Sequence, residues 1–265
     1  CHSGVHGGAF SEPMFDLISI LSKLKHPTSN KVAIPGFYDH IVPLKCDESK
    51  LYDEIVDTDT FNIPAYLTSI GYQRDVHTNA ESESRNKEQC KALLMQKWRY
   101  PSLSVHNVQQ SSNECTVISK SASAVISIRS VPNQNNPELV QLCEKYLNDE
   151  FNKLSTYNKI SISSNNIGDH WLMDYNSAAF QCAQKAIVQH WNMKPWFVRE
   201  GGTIPCTNYL YNKLKCPILQ FPLGQSTDNA HLENERIRLQ NLSKGKHVIK
   251  SFLINLMQHH SHNKQ

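Results

Sequence analysis

Two short segments in the last third of the chain carry residue types that could do chemistry. The segment G-Q-S-T-D-N-A-H-L-E-N-E at 224–235 places His231 just before a predicted helix. A neutral imidazole is the commonest protein ligand for metal ions such as zinc, so His231 is a candidate metal ligand. The segment R-E-G-G-T-I-P at 199–205 is a glycine-rich turn led by Arg199. A guanidinium can bind a carboxylate through two parallel hydrogen bonds, and nearby backbone N–H groups can add to such a site.

Each segment also has a simpler interpretation. His231 could lie incidentally in a helix N-cap region, with Asp228 or Asn234 as the capping residue. Arg199 could be a surface residue beside a turn. The pocket interpretation adds three neighbours that would approach a bound carboxylate: Gly201, Gly202 and Thr203.

Hydrophobic spacing predicts the elements that must position these segments. Apolar residues three and four apart, or an acidic run, predict helices at 9–25, 48–56, 137–154, 176–191 and 233–257. Apolar residues in strand patterns predict strands from 102, at 124–129, at 159–163 and at 218–222. The alternation of strand and helix before residue 170 favours a small sheet with helices on one face.

Composition excludes several classes of function. The 265 residues are 39% hydrophobic and 19% charged, which is enough for a packed core. A net charge of +3 without a basic stripe argues against nucleic-acid binding. No apolar run reaches the roughly 18 residues of a membrane span. The eight cysteines form no C-x-x-C pair, which predicts free buried thiols in a reducing compartment such as the cytoplasm, with disulfides as the alternative.

Five motifs together resemble one metallopeptidase family. The two segments above are joined by H-S-G-V-H-G-G at 2–8, K-W-R-Y-P-S-L-S at 97–104 and I-S-I-R-S-V-P-N at 126–133. They are similar to the family of carnosinases, cysteinylglycine dipeptidases and aminoacylase-type amidohydrolases. The resemblance implies a cleft with two zinc ions, or manganese. In that family the other metal ligands and the catalytic Glu precede the H-S-G motif, so we expect this chain to be the C-terminal part of a longer enzyme and inactive alone.

The resemblance also implies a fold class and a domain organisation. The expected fold is α/β: part of a hydrolase-like catalytic α/β domain, with an inserted α+β lid made of an antiparallel sheet with helices on one face. Residues 1–170 are expected to be the lid and dimerisation domain, truncated at its start. Residues 171–258 are expected to be the C-terminal segment of the catalytic domain, and 259–265 a disordered tail. The resemblance further implies a homodimer formed through the lid.

Roles follow from the resemblance, residue by residue. His231 is expected to be the terminal zinc ligand, and Arg199 with its three neighbours to hold the substrate carboxylate. His2 is expected to reach across the dimer into the partner's cleft and steady the oxyanion. Thr116 and Arg129 are expected to accompany it and bind the far end of the substrate. Ordinary strand positions remain the alternative for Thr116 and Arg129.

Some residues depart from the family pattern. In N-N-I-G-D-H-W at 165–171, Asn166 stands where the family has a substrate-binding His, unless a register shift lets His170 replace it. Cys1 replaces the usual Leu, and Q-S-T-D-N-A-H replaces the typical D-D-G-A-H. These changes resemble the peptidase-like subunit of the fungal glutathione-degradation complex, which works with a glutamine-amidotransferase subunit.

Two hypotheses about function follow. The first is a two-metal hydrolase acting on dipeptides or small γ-glutamyl peptides, such as cysteinylglycine or glutathione. The second is a non-catalytic scaffold that dimerises and recruits an amidotransferase. An intact H-x-D motif and Glu-Glu pair upstream would favour the enzyme, because a bridging water needs both metals and a general base.

Overall fold

The chain forms two compact units in this computed structural model. The structure describes residues 1–58, 61–69, 80–112, 114–202, 204–225 and 227–262. The units are Cys1–His170 and Trp171–Gln265. Among the described residues, no helix is both long enough and apolar enough to cross a bilayer.

The described residues of the first unit form a two-stranded antiparallel sheet and six helices. Strand β1 (Ser102–Gln110) pairs with strand β2 (Ala122–Arg129), with Ser102 opposite Arg129 and an irregularity between His106 and Gln109. The helices are α1 (Ser3–His6), α2 (Pro13–Leu21), α3 (Cys46–Val56), α4 (Ile63–Ser69), α5 (Ala80–Trp98) and α6 (Asn136–Asn152).

The core of this unit lies between the sheet and the helices α2 and α6. Successive side chains of a strand point to opposite faces, so Ile126 and Ile128 pack on the core while Arg129 is exposed. Leu139, Cys143 and Leu147 supply the buried stripe of α6. The fold therefore confirms the predicted small antiparallel sheet with packed helices.

Local sequence determines where α6 begins. The Asn135 side chain accepts a hydrogen bond from the Glu138 N–H at 3.1 Å, and Pro137 occupies the first turn, where its missing N–H costs nothing. The predicted helix at 137–154 is therefore confirmed at its start.

A second core cluster joins α3 to α5. It buries Tyr52, Ile55, Cys90 and Leu94. Beside it Arg99 is only 1% exposed, with its Nε 3.3 Å from Glu48 Oε1 in an ion pair that lacks hydrogen-bond alignment. An unpaired charge this deep would be strongly destabilising, so the pair ties the end of α5 to α3.

The second unit is helical in the part of the chain that the structure describes. It comprises α7 (Ala178–Trp191), α8 (Pro205–Leu214) and α9 (Leu239–His262). Small buried residues at Ala183 and Ala186 let α7 approach α9 closely. The Asn255 side chain donates to the Cys182 carbonyl at 3.2 Å across that contact.

Several sequence predictions about this architecture are wrong. Neither 159–163 nor 218–222 forms a strand, because neither run lies beside a partner that could complete a ladder among the described residues. Helix α9 begins at Leu239, later than predicted, and continues through His262. Residues 259–262 are therefore helical where a disordered tail was expected, and 263–265 lie outside the described residues.

The prediction about cysteines is confirmed in one part and wrong in another. All eight thiols are free. Only Cys90, Cys143 and Cys182 are buried, and the other five are exposed. Burial raises the pKa of both Cys90 and Cys143 to about 11, with Glu144 adding to the shift at Cys143. These two thiols are protonated at neutral pH and poor nucleophiles.

Candidate functional site

His2 lies at the start of α1, where hydrogen bonds fix both its ring and the adjoining backbone. Its backbone is extended, and its ring Nδ1 accepts a hydrogen bond from the Gly4 N–H at 3.0 Å. The Ser3 N–H donates to the Thr116 carbonyl at 2.7 Å, and His2 pairs with Val117 in an antiparallel bridge. The structure therefore brings His2 and Thr116 together, and both are exposed.

Arg129 lies on the exposed face of the sheet, at the end of β2. Ser127 shares that face by strand alternation. The Ser127 hydroxyl lies 2.9 Å from His106 Nε2 on the neighbouring strand. This polar face around Arg129 was missed by sequence reasoning, although the alternation of apolar residues along 124–129 could have revealed it.

Asn166 lies in a segment without helix or strand. Its φ is +53°, a left-handed conformation that Asn tolerates, and its Nδ2 is 3.4 Å from Asn165 Oδ1. Asn166 is exposed, whereas His170 Nδ1 is shielded from solvent and has no hydrogen-bond partner among the described residues. Asn166 therefore keeps polar atoms that could meet a ligand, whereas His170 Nδ1 is closed to one.

The Arg199 loop connects α7 to α8. Arg199 is half-buried, and Gly201 and Gly202 are exposed. A side chain at Gly201 would meet nothing within 4 Å, and neither glycine has a positive φ. The glycines thus leave the backbone open rather than permitting an unusual conformation. The Gly202 N–H donates to Glu200 Oε1 at 2.9 Å, and Thr203 lies outside the described residues.

The His231 loop is built around Asp228. Asp228 is 7% exposed, and its Oδ2 accepts from the Gln225 N–H at 2.7 Å. Its backbone carbonyl accepts from the Arg236 N–H at 2.9 Å, which closes the loop. His231 is exposed with a φ of +65°, an uncommon conformation for this residue type.

This geometry corrects two sequence interpretations of His231. Helix α9 begins only at Leu239, so His231 neither lies just before a helix nor belongs to an N-cap region. Asp228 does cap a backbone N–H, but in the loop itself. No cluster of three or more metal-binding side chains occurs among the described residues, so they do not form a complete zinc site.

Comparisons with known proteins assign the chain to a protein family. Residues 1–154 match the M20 peptidase dimerisation domain, and the chain belongs to that family. The chain is 34% identical over 255 residues to the Cys-Gly metallodipeptidase DUG1 of Candida albicans, covering 95% of the chain and 50% of that protein. It is 35% identical over 243 residues to the probable di- and tripeptidase DUG2 of Saccharomyces cerevisiae, covering 91% and 25%.

Solved structures of dipeptidases are also similar to this chain. The di-peptidase Dug1p from Saccharomyces cerevisiae superposes with a TM-score of 0.81 at 30% identity, over 96% of this chain and 51% of that one. Human carnosine dipeptidase 1 gives a TM-score of 0.80 at 28% identity, over 97% and 52%. The chain spans about half the length of DUG1 and of both solved structures, and about a quarter of the length of DUG2.

The comparisons confirm the resemblance to the metallopeptidase family. The relatives named here carry peptidase names, and none is described as a non-catalytic scaffold. The scaffold hypothesis is therefore unsupported, and the names of these relatives identify no amidotransferase partner.

Proposed function

We propose that this chain supplies the dimerising and substrate-orienting part of a metal-dependent dipeptidase. The Cys1–His170 unit would be the lid, and the Trp171–Gln265 unit would be a segment of the catalytic domain. The proposed substrates are dipeptides with a free C-terminal carboxylate, such as cysteinylglycine, or small γ-glutamyl peptides such as glutathione. Eight free thiols fit a reducing compartment such as the cytoplasm.

The single observation that supports this proposal most is the presentation of His2. An exposed imidazole on a turn hydrogen-bonded at both ends can meet a developing negative charge without first reorganising. In this proposal Thr116 and Arg129 bind the far end of the substrate. Arg199, with the backbone at Gly201, Gly202 and Thr203, binds the carboxylate, and Asn166 adds a polar contact.

A metal role is proposed for His231 alone. The proposed metals are two zinc ions per site, or manganese. The described residues offer no complete ligand set, so His231 would be one ligand among several. The buried Asp228 would hold the loop that presents it.

The test is hydrolysis by the full-length protein. We expect cleavage of cysteinylglycine with added zinc or manganese, and loss of cleavage with a chelator. Carnosine and glutathione, assayed in parallel, distinguish the substrate classes. Absence of hydrolysis for all three, in protein that elemental analysis shows to be metal-loaded, would overturn the proposal.

The metal role is tested separately in the full-length protein. His231→Ala should lower the metal content by about one ion per subunit, because a directly bound ligand is lost. His247→Ala is the control, since that exposed histidine lies on α9 rather than in the loop and stacks on His190. Unchanged metal content in His231→Ala would exclude His231 as a ligand.

A further inference from the structure

The hydrogen bond between Gly4 and His2 determines where the imidazole carries its proton. The Gly4 N–H can donate only to a ring nitrogen that has a lone pair. The 3.0 Å distance to Nδ1 therefore makes Nδ1 the bare nitrogen. In the neutral ring the proton must then be on Nε2, which becomes a hydrogen-bond donor.

Gly4 also leaves the space that the ring occupies. A Cβ at this residue would lie 3.2 Å from His2 Cε1 and 3.3 Å from Nδ1. Both distances are tighter than ordinary van der Waals contact, so a side chain here would push the ring by a few tenths of an ångström. Gly4 has no positive φ. It is therefore needed for the space that it leaves rather than for its conformational freedom.

The backbone around this pair is fixed independently of the ring. The His2 carbonyl accepts hydrogen bonds from the Val5 and His6 N–H groups at 3.1 and 3.0 Å. The Ser3 N–H is bound to the Thr116 carbonyl on the facing segment. Because the turn is anchored at both ends, the Gly4 N–H has a fixed direction and the ring must adapt to it.

We propose that Gly4 is a positioning residue that holds His2 as the Nε2–H tautomer, with Nε2 exposed as a donor. The catalytic consequence rests on the proposed function: a donor at Nε2 stabilises an oxyanion, whereas a bare nitrogen would repel it. The assignment of the tautomer itself does not depend on that function.

The first experiment reads the tautomer directly. Full-length protein labelled with 15N-histidine is studied by NMR at a pH where the imidazole is neutral, and the His2 signals are assigned by their loss in His2→Gln. We expect a pyridine-type shift for Nδ1 and a pyrrole-type shift for Nε2. Reversed or averaged shifts would overturn the inference, whatever the activity of the protein.

The second experiment displaces the ring. Gly4→Ala should give averaged tautomer shifts and lower kcat for cysteinylglycine by about 3- to 10-fold, with KM changed less than about two-fold, because a misplaced group acts mainly on the transition state. Gly168→Ala is the matched control for the spectrum, since a Cβ there meets nothing within 4 Å. Native shifts and kcat in Gly4→Ala would contradict the inference.

These outcomes separate the inference from the proposed function. The expected tautomer in a protein without hydrolytic activity would support positioning by Gly4 and contradict the dipeptidase. Hydrolytic activity with the opposite tautomer would support the dipeptidase and contradict positioning by Gly4. If Gly4→Ala fails to fold, the tautomer in the unmodified protein still decides.

Discussion

At the residue scale, the Gly202 N–H is the most informative group of the proposed carboxylate pocket. The sequence predicts that this N–H binds the substrate carboxylate. In the structure it donates instead to Glu200 Oε1 at 2.9 Å. Glu200 therefore occupies the kind of position that a substrate carboxylate would take. A substrate must either displace it or bind through Arg199 without this N–H.

Glu200→Gln distinguishes these two possibilities. The amide oxygen of Gln still accepts the Gly202 N–H, but the bond loses its charge assistance and is easier to displace. If the substrate uses this N–H, KM for cysteinylglycine should fall about two- to five-fold, with kcat little changed. Asp174→Asn is the matched control, because Asp174 makes the same kind of bond to the Asn176 N–H at 2.9 Å. An unchanged KM would place the substrate carboxylate elsewhere.

Arg199→Lys tests the guanidinium itself. Lysine keeps the charge but loses the fork that binds a carboxylate through two bonds, so about 1–3 kcal/mol of binding is at stake. KM should rise roughly 5- to 150-fold for dipeptides with a free carboxylate, and much less for amidated analogues. Equal losses for both substrates would show that Arg199 does not contact that group.

At the scale of elements, strands proved harder to predict than helices. Helix α6 is specified locally, by a cap at Asn135 and a stripe that includes Cys143. The apolar run at 218–222 has strand character but no neighbouring strand among the described residues. Whether a partner strand lies beside a run depends on distant parts of the chain, so the local sequence does not reveal it. The start of α9 was missed because the Arg236 N–H donates to the Asp228 carbonyl, which closes a loop where the helix was predicted to begin.

Burial of Cys143 on the core face of α6 should make the fold sensitive to alkaline pH. Its pKa rises from 9.0 to about 11 in the folded state, chiefly because burial disfavours the thiolate. As pH rises, the Cys143 thiol therefore loses its proton at a lower pH in the unfolded chain than in the folded protein. The stabilisation is complete below about pH 9 and is lost as pH rises toward 11.

Urea unfolding at pH 8 and pH 10 measures this contribution. Cys143→Ala should lower stability at both values through lost packing, but should remove about 1 kcal/mol of the difference between them. Cys216→Ala, at an exposed thiol, should leave that difference unchanged. An identical pH dependence in wild type and Cys143→Ala would mean that Cys143 ionises as freely in the folded state as in the unfolded state.

At the scale of the whole molecule, the roles proposed for His2 and His231 place them in different units of the chain. A dimerisation-domain family makes a two-fold homodimer the expected assembly. In a two-fold dimer, whatever one subunit lends to its partner is also lent in return. If His2 serves the partner's cleft, each active site is built from two subunits, one contributing His2 and the other His231.

Mixed dimers test this sharing. Full-length His2→Ala and His231→Ala subunits, each inactive alone, are co-expressed with different tags. In a mixed dimer one site receives both defects and the other none, so activity should recover to about one quarter of wild type when random assembly makes half the dimers mixed. A mixture of His2→Ala with Thr116→Ala is the control: each lid then carries a defect, and no site is whole. If His2 acts within its own subunit, the first mixture also leaves a defect in each site. No recovery in mixed dimers purified through both tags would therefore rule out the shared site.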